Sequence, residues 1–248
     1  MFLPVGILCL LFLWPFMAWA GDLSELKGVP IDLLRGVREE ARPEGLLTLL
    51  AAGTGASIAR YGKTTTFDDF RIADAQQSHA TLGKRGDDFG AVIGYPGYLM
   101  AVMGTTYFAG GYADASPVQE FGLLGFEALS LAGIQTQILK LSVRRIRPDS
   151  TDRTAFPSGH TSASFSLAAV AASQWGWKVG VPACLLAGFV GYTRVDSRSH
   201  YFSDVLFGAG VGIASGRAVY KVRRHAQPDR YAFAPFVSPG GGGVTVFF

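Results

Sequence analysis

The apolar positions of this chain fall in long blocks built from Leu, Ala, Val and Gly, with few stretches that alternate polar and apolar residues. Half-buried strands show a period of two, whereas helices bury a stripe or a whole surface, so the pattern predicts an almost wholly helical chain. A short amphipathic helix is expected over Pro30 to Arg42 and a longer one over Glu44 to Arg60. The acidic and polar stretch Thr66 to His79 reads as a surface helix that begins near Asp68-Asp69, where acids complement the positive end of a helix dipole. Five apolar segments follow: Phe89 to Tyr112, Phe121 to Leu139, Thr161 to Trp177, Val179 to Tyr192 and Val205 to Tyr220. The first carries no charge between Asp88 and Asp114 and is long enough to cross a bilayer. The others are shorter or include a polar residue such as Glu127, and several fit buried core helices equally well.

Both ends depart from this pattern. Phe2 to Ala20 is uncharged and closes on Ala18-Trp19-Ala20, a small-x-small signature of signal cleavage that would start the mature chain at Gly21. No Lys or Arg precedes the apolar run, and the other reading is an uncleaved anchor. After Arg224 the chain turns rich in Pro and Gly and ends in the alternating run Val244 to Phe248. The expected fold is therefore all-α, a bundle of about six main helices with a short β-prone C-terminal tail. Its expected divisions are a signal peptide or anchor over 1–20, an N-terminal helical region over 21–88, a catalytic helical bundle over 89–225 and the tail over 226–248.

A net charge of +3 over 248 residues, with basic residues dispersed apart from Arg144-Arg145 and Lys221 to Arg224, argues against a nucleic-acid partner. Of two cysteines, Cys9 lies in the leader and Cys184 in an apolar run, where a small buried hydrophobe is expected. No Cys/His cluster has zinc spacing, and no Gly-rich nucleotide loop is present. Neither a metal nor another cofactor is expected.

Chemistry enters with Pro157-Ser158-Gly159-His160, at the threshold of an apolar helix. A helix start leaves unpaired N–H groups and partial positive charge, and small residues there leave room for an anion such as phosphate. Alone, the tetrad is better read as an ordinary helix start with Ser158 as its N-cap. Its surroundings carry more: Lys140, six residues, then Arg147-Pro148; the tetrad; then Arg194, five residues, His200, three residues, Asp204. This ordered trio resembles the type 2 phosphatidic acid phosphatase (PAP2) superfamily, which includes lipid phosphate phosphatases, bacterial class A acid phosphatases and vanadium haloperoxidases. The chain departs from the family pattern at Thr193, where serine is common, and at Asp196 and Arg198, where small or apolar residues are frequent.

Phosphoryl transfer spreads negative charge over three equatorial oxygens, so a catalyst needs fixed cations and N–H donors around them. Lys140, Arg147 and Arg194 supply cations, Ser158 a hydroxyl and Gly159 a backbone N–H. His200 and Asp204 stand four apart, on one face if helical, so the carboxylate would orient an imidazole whose free nitrogen attacks phosphorus. His160 would protonate the departing oxygen and then activate water. The resemblance implies the same roles, with a phosphohistidine intermediate. His79 and His225 lie outside the motifs and read as surface residues.

Connectivity brings the second and third motifs to one end of the bundle, because Trp177-Lys178 reverses the chain between His160 and Arg194. Lys178, Lys221, Arg223 and Arg224 gather at the other end, which would be cytoplasmic if the bundle crossed a membrane, with the site facing the periplasm. The expected function is a phosphatase acting on a phosphomonoester or diphosphate, of a lipid or isoprenoid, in a bacterial-type envelope. The expected partners are that phosphorylated lipid or small phosphoester and a membrane. Alternatives are a soluble periplasmic acid phosphatase of broad specificity, a vanadate-dependent haloperoxidase and a non-catalytic lipid-binding protein.

Overall fold

The computed structural model describes residues 24–61, 69–78, 81–226, 232–238 and 241–247. The expected leader, Asp68 and His79 lie outside these residues. After a 3-10 turn at Ser24–Gly28, nine α-helices run α1 Val29–Glu40, α2 Pro43–Tyr61, α3 Asp69–Ser78, α4 Gly83–Ile93, α5 Pro96–Tyr112, α6 Ser116–Val143, α7 Gly159–Trp175, α8 Trp177–Asp196 and α9 Phe202–Ala226, among the described residues. The tail forms an antiparallel hairpin, β1 Ala232–Ser238 with β2 Gly241–Phe247, in register Ala232 to Phe247.

The uncharged block Phe89 to Tyr112 is not one helix. Pro96 has no N–H to give the preceding turn and its ring crowds it, so α4 stops at Ile93, Tyr95 is extended and α5 starts afresh. At 17 residues α5 is about 26 Å long. No helix among the described residues is long and apolar enough to cross a membrane. Cys184 corrects a second expectation, because it is exposed on α8.

The core forms around α6, α7 and α9, where Leu124, Ala128 and Leu131 meet Val170 and Val219, while Met103 of α5 packs with Leu129 and Ala163. Gly208, Gly212 and Gly216 line one face of α9. A Cβ on them would stand only 2.8, 2.3 and 2.4 Å from the carbonyl oxygens of Ser158, Ser162 and Ser166 on α7. That spacing lets the two backbones touch, which real side chains would forbid. The contact fixes the start of α7 against the first turns of α9, so two of the three motifs are locked by packing. Gly176, at φ +77, makes the reversal between α7 and α8 in the left-handed region that glycine enters without strain. The turn therefore centres one residue earlier than Trp177-Lys178.

Candidate active site

The three sequence motifs meet at one end of the bundle. Lys140 stands in the last turn of α6, Ser158 caps α7, Gly159 and His160 open it, and Arg194 is in the last turn of α8. His200 lies in the loop before α9, whose first turn holds Asp204. Besides burial, the charges of Arg194, His200, Arg147 and Lys140 all act on His160 and hold its imidazole down at about 3. Burial and these neighbouring charges thus keep His160 neutral.

Each cation is held in place. Lys140 Nζ donates to the carbonyl of Thr154, and burial, reinforced by Arg147, lowers its ammonium to about 8 against the opposing pull of Asp204 and Asp152. Arg147 donates to Asp152 at 2.8 Å, to Thr154 Oγ1 at 3.1 Å and to the carbonyl of Ser199 at 3.4 Å. Burial raises the Asp152 carboxyl, but hydrogen bonds from Thr154 and Arg147 outweigh it and bring it to about 2. Arg194 is buried and donates to the carbonyl of Asp87 at 2.6 Å and to Thr193 Oγ1 at 3.0 and 3.2 Å. Lys140 and Arg194 form no salt bridge among the described residues. Their charge faces neutral oxygens and remains available to an anion.

Ser158 does not cap α7 through its side chain. It is fully buried, its hydroxyl accepts from Thr161 at 2.9 Å, and its N–H donates to the carbonyl of Asp204 at 3.0 Å. A Cβ on Gly159 would meet Thr136 Cγ2 at 3.7 Å and Lys140 Cε at 4.0 Å, so the absent side chain leaves open the wall beside the ammonium.

The His200 pair differs from expectation. His200 precedes α9, its N–H donates to the carbonyl of Arg194 at 3.0 Å, and Nδ1 lies 2.6 Å from the carbonyl of Ala155. Asp204 Oδ2 is 3.9 Å from Nδ1 and accepts instead from the Tyr201 N–H at 2.9 Å. Helical four-residue spacing fails because Arg198, at φ +56, turns the chain before α9 starts at Phe202. The carbonyl of Ala155 therefore fixes the tautomer, with Nδ1 donating and Nε2 free, and Asp204 acts through space. Burial lowers the His200 imidazole, and Asp204 opposes that shift.

Two residues with no role in the sequence reading stand against this loop. Arg145 bridges Asp204 at 2.6 Å and Asp69 at 2.8 Å and lies 4.0 Å over the Tyr201 ring. Asp69 does begin α3, yet it is fully buried rather than a solvated helix-end charge. In the sequence Arg145 stands out only as half of the short basic pair Arg144-Arg145.

The three departures at motif three are braces. Thr193 Oγ1 accepts from Arg194, as a serine hydroxyl can, and its methyl packs against Gly90. Asp196 accepts from the N–H groups of Thr81 and Leu82 at 2.9 and 2.8 Å, next to the start of α4. Arg198 donates to the carbonyl of Pro148 at 3.1 Å. No group of three or more His, Cys, Asp and Glu among the described residues has the arrangement of a metal site.

A helical bundle with these motifs at one end is what connectivity predicts, and comparison with known proteins bears on the fold. The PAP2 superfamily model matches residues 122–228, a stretch that includes all three motifs. The Lipid A 1-phosphatase of Porphyromonas gingivalis is 36% identical over 95 residues, covering 37% of this chain and 21% of that protein. The chain thus spans about a fifth of the length of that curated relative. The crystal structure described as the first transmembrane PAP2 type phosphatidylglycerolphosphate phosphatase, from Bacillus subtilis, shares the fold. It superposes with a TM-score of 0.56 at 19% identity, over 74% of this chain and 99% of that one.

Proposed function

We propose that this chain is a phosphatase that removes phosphate from a lipid phosphate or isoprenoid diphosphate of a bacterial envelope. The reaction runs through a phosphohistidine on His200, with side chains and N–H groups rather than a metal ion meeting the transition-state charge. The observation that carries the reading is the convergence on His160 of Lys140 and Arg147 from one separate segment and of Arg194 and His200 from another.

The phosphoryl group sits at the start of α7, its equatorial oxygens held by Lys140, Arg147, Arg194 and the N–H of Gly159. His200 Nε2 gives its lone pair to phosphorus, the bond to the ester oxygen breaks, and that oxygen takes the proton of His160. His160 then removes a proton from water, the new hydroxide attacks phosphorus, and orthophosphate leaves as the His200 nitrogen recovers its lone pair. With burial and its cationic neighbours holding the imidazole at about 3, His160 begins without a proton to give. A phosphomonoester's second ionisation lies near ~6, so the monoanion brings both the proton and the negative charge that stabilises imidazolium. Asp204 offsets the cation that His200 becomes when phosphorylated.

Two further facts support a lipid substrate. The PAP2 relatives above carry lipid phosphates in their names. Val102 on α5, Ile134, Ile138 and Leu141 on α6, and Leu185 and Leu186 on α8 are exposed, so the outer surface of the bundle is apolar where a soluble protein would be polar. We place the enzyme at the inner membrane with the site toward the periplasm.

The test is phosphate release by wild type and His200→Ala from phosphatidic acid, an isoprenyl diphosphate and p-nitrophenyl phosphate. Release from the lipid substrates that disappears in the variant is expected. A variant that retains activity, or a wild type active on none, would overturn the reading.

A further inference from the structure

The loop that carries His200 is held from behind by a helix that no motif includes. Asp69, the first residue of α3, accepts three hydrogen bonds: from the Ser203 N–H at 2.8 Å, from the Ser203 hydroxyl at 2.6 Å and from Arg145 at 2.8 Å. The first satisfies one of the unpaired N–H groups that a helix start leaves, so Asp69 caps α9 from another helix. The other two order a relay. Arg145 places one terminal nitrogen on Asp69 and the other on Asp204 and Ser203 Oγ, each at 2.6 Å. The Asp204 backbone carbonyl in turn accepts from Ser158, at the head of the phosphate-binding helix.

We propose that Asp69 is a positioning residue for the nucleophile, acting through Arg145 and Ser203 to hold Asp204 and the loop that presents His200. This rests on the phosphatase reading above. The arrangement has a specific electrostatic logic. Arg145 alone would satisfy Asp204 completely and screen it from the imidazole 3.9 Å away. With Asp69 sharing the guanidinium, two carboxylates divide one positive charge, and Asp204 keeps negative charge for the phosphorylated His200. The same contacts cap α9 and seat Arg145 on the Tyr201 ring, so the loop has little freedom to turn His200 away. Asp69 lies 76 residues from Arg145 and outside the residues matched by the family model. The N-terminal helices are thereby part of the catalytic apparatus rather than an appendage to it.

The experiment compares wild type, Asp69→Asn, Asp69→Glu and Arg145→Lys in full-length protein. The readouts are kcat and KM on phosphatidic acid in mixed micelles, thermal unfolding, and binding of orthovanadate and of orthophosphate. Vanadate takes a fifth ligand from a positioned nucleophile, whereas orthophosphate reads the cation pocket alone. Asp69→Asn should lower kcat about 10- to 100-fold, leave KM within a factor of about three and weaken vanadate about tenfold without moving orthophosphate affinity. Asp69→Glu should recover part of kcat. Asp69→Asn with unchanged kcat and vanadate affinity would overturn the proposal. So would equal losses of vanadate and orthophosphate binding. If Asp69→Asn does not fold, Arg145→Lys decides: full kcat makes the cluster purely structural, and a kcat loss with KM unchanged supports positioning. A wild type that neither releases phosphate nor binds vanadate would sink the phosphatase reading itself, a result distinct from these.

Discussion

The two ends of this bundle use the same residue types to opposite effect. At the end away from the motifs, Arg223 of α9 donates to Glu127 at 2.6 Å and lies 3.4 Å from Asp32, and Lys221 pairs with Glu44. Each of these cations has a carboxylate partner. At the motif end, the half-buried Lys140 and the buried Arg194 have only neutral oxygens as acceptors, whereas Arg147 pairs with Asp152 and Arg145 with Asp204 and Asp69. One end is a closed ion-pair network that ties α1, α6 and α9 together. The other leaves cations without a carboxylate, and in the proposed reading they are the ones that meet the phosphate. Burial of charge without a counterion costs stability, so the second arrangement marks a site that gives up stability for binding.

The contrast can be sharpened first at His160. His160→Asn should lower kcat/KM, which reports the step in which the leaving group departs, about 10²- to 10⁴-fold on an alkyl phosphate, because the alkoxide must leave without a proton. The loss on p-nitrophenyl phosphate should be much smaller, since nitrophenolate leaves unaided. Steady-state rates on the two substrates check this, and equal losses would assign His160 to binding rather than proton transfer.

Next in size is a dissociation between the ends. Glu127→Gln leaves the half-buried Arg223 with Asp32 as a remaining carboxylate and should cost about 1–3 kcal/mol of stability, with kcat/KM of the folded protein unchanged. Arg194→Met should do the reverse, lowering kcat/KM about 10²- to 10³-fold while unfolding at the same or a higher temperature. Chemical denaturation and kinetics on the two variants decide it. If Arg194→Met were as destabilised as Glu127→Gln, the two ends would not differ as described.

The smallest effect is in pH. Lys140 loses its proton near 8, so kcat/KM should fall as pH rises through that value, by about tenfold per unit well above it. Bound phosphate raises the ammonium's affinity for its proton, so kcat should hold to higher pH than kcat/KM. In Lys140→Arg the alkaline limb should move upward, beyond pH 10. A limb that stays near 8 in the variant would assign it to another group.

What was legible in the sequence follows the same division. The helical architecture and the three motifs could be read because apolar blocks and motif spacing are local properties. The single reversal between His160 and Arg194 then leaves few ways to arrange the motifs. Pro96 was visible in the apolar block Phe89 to Tyr112, but apolar composition outweighed it, although a missing N–H breaks a helix whatever its hydropathy. Long-range pairing was hidden. Asp69 looked like an ordinary helix-start acid, and nothing in its neighbourhood encodes Arg145 at 76 residues' distance. The four-residue spacing of His200 and Asp204 suggested a helical contact, yet the left-handed turn at Arg198 makes the carbonyl of Ala155 the nearer partner. Cys184 sits in an apolar run that faces outward, so local hydropathy misjudged its burial.

The most direct test of the central claim is to quench the enzyme within milliseconds of mixing with phosphatidic acid carrying labelled phosphorus, and to map the labelled peptide. The account predicts an acid-labile, alkali-stable phosphate on the peptide that contains His200, absent from His200→Ala. Label on any other residue, or full turnover with His200 replaced, would contradict it.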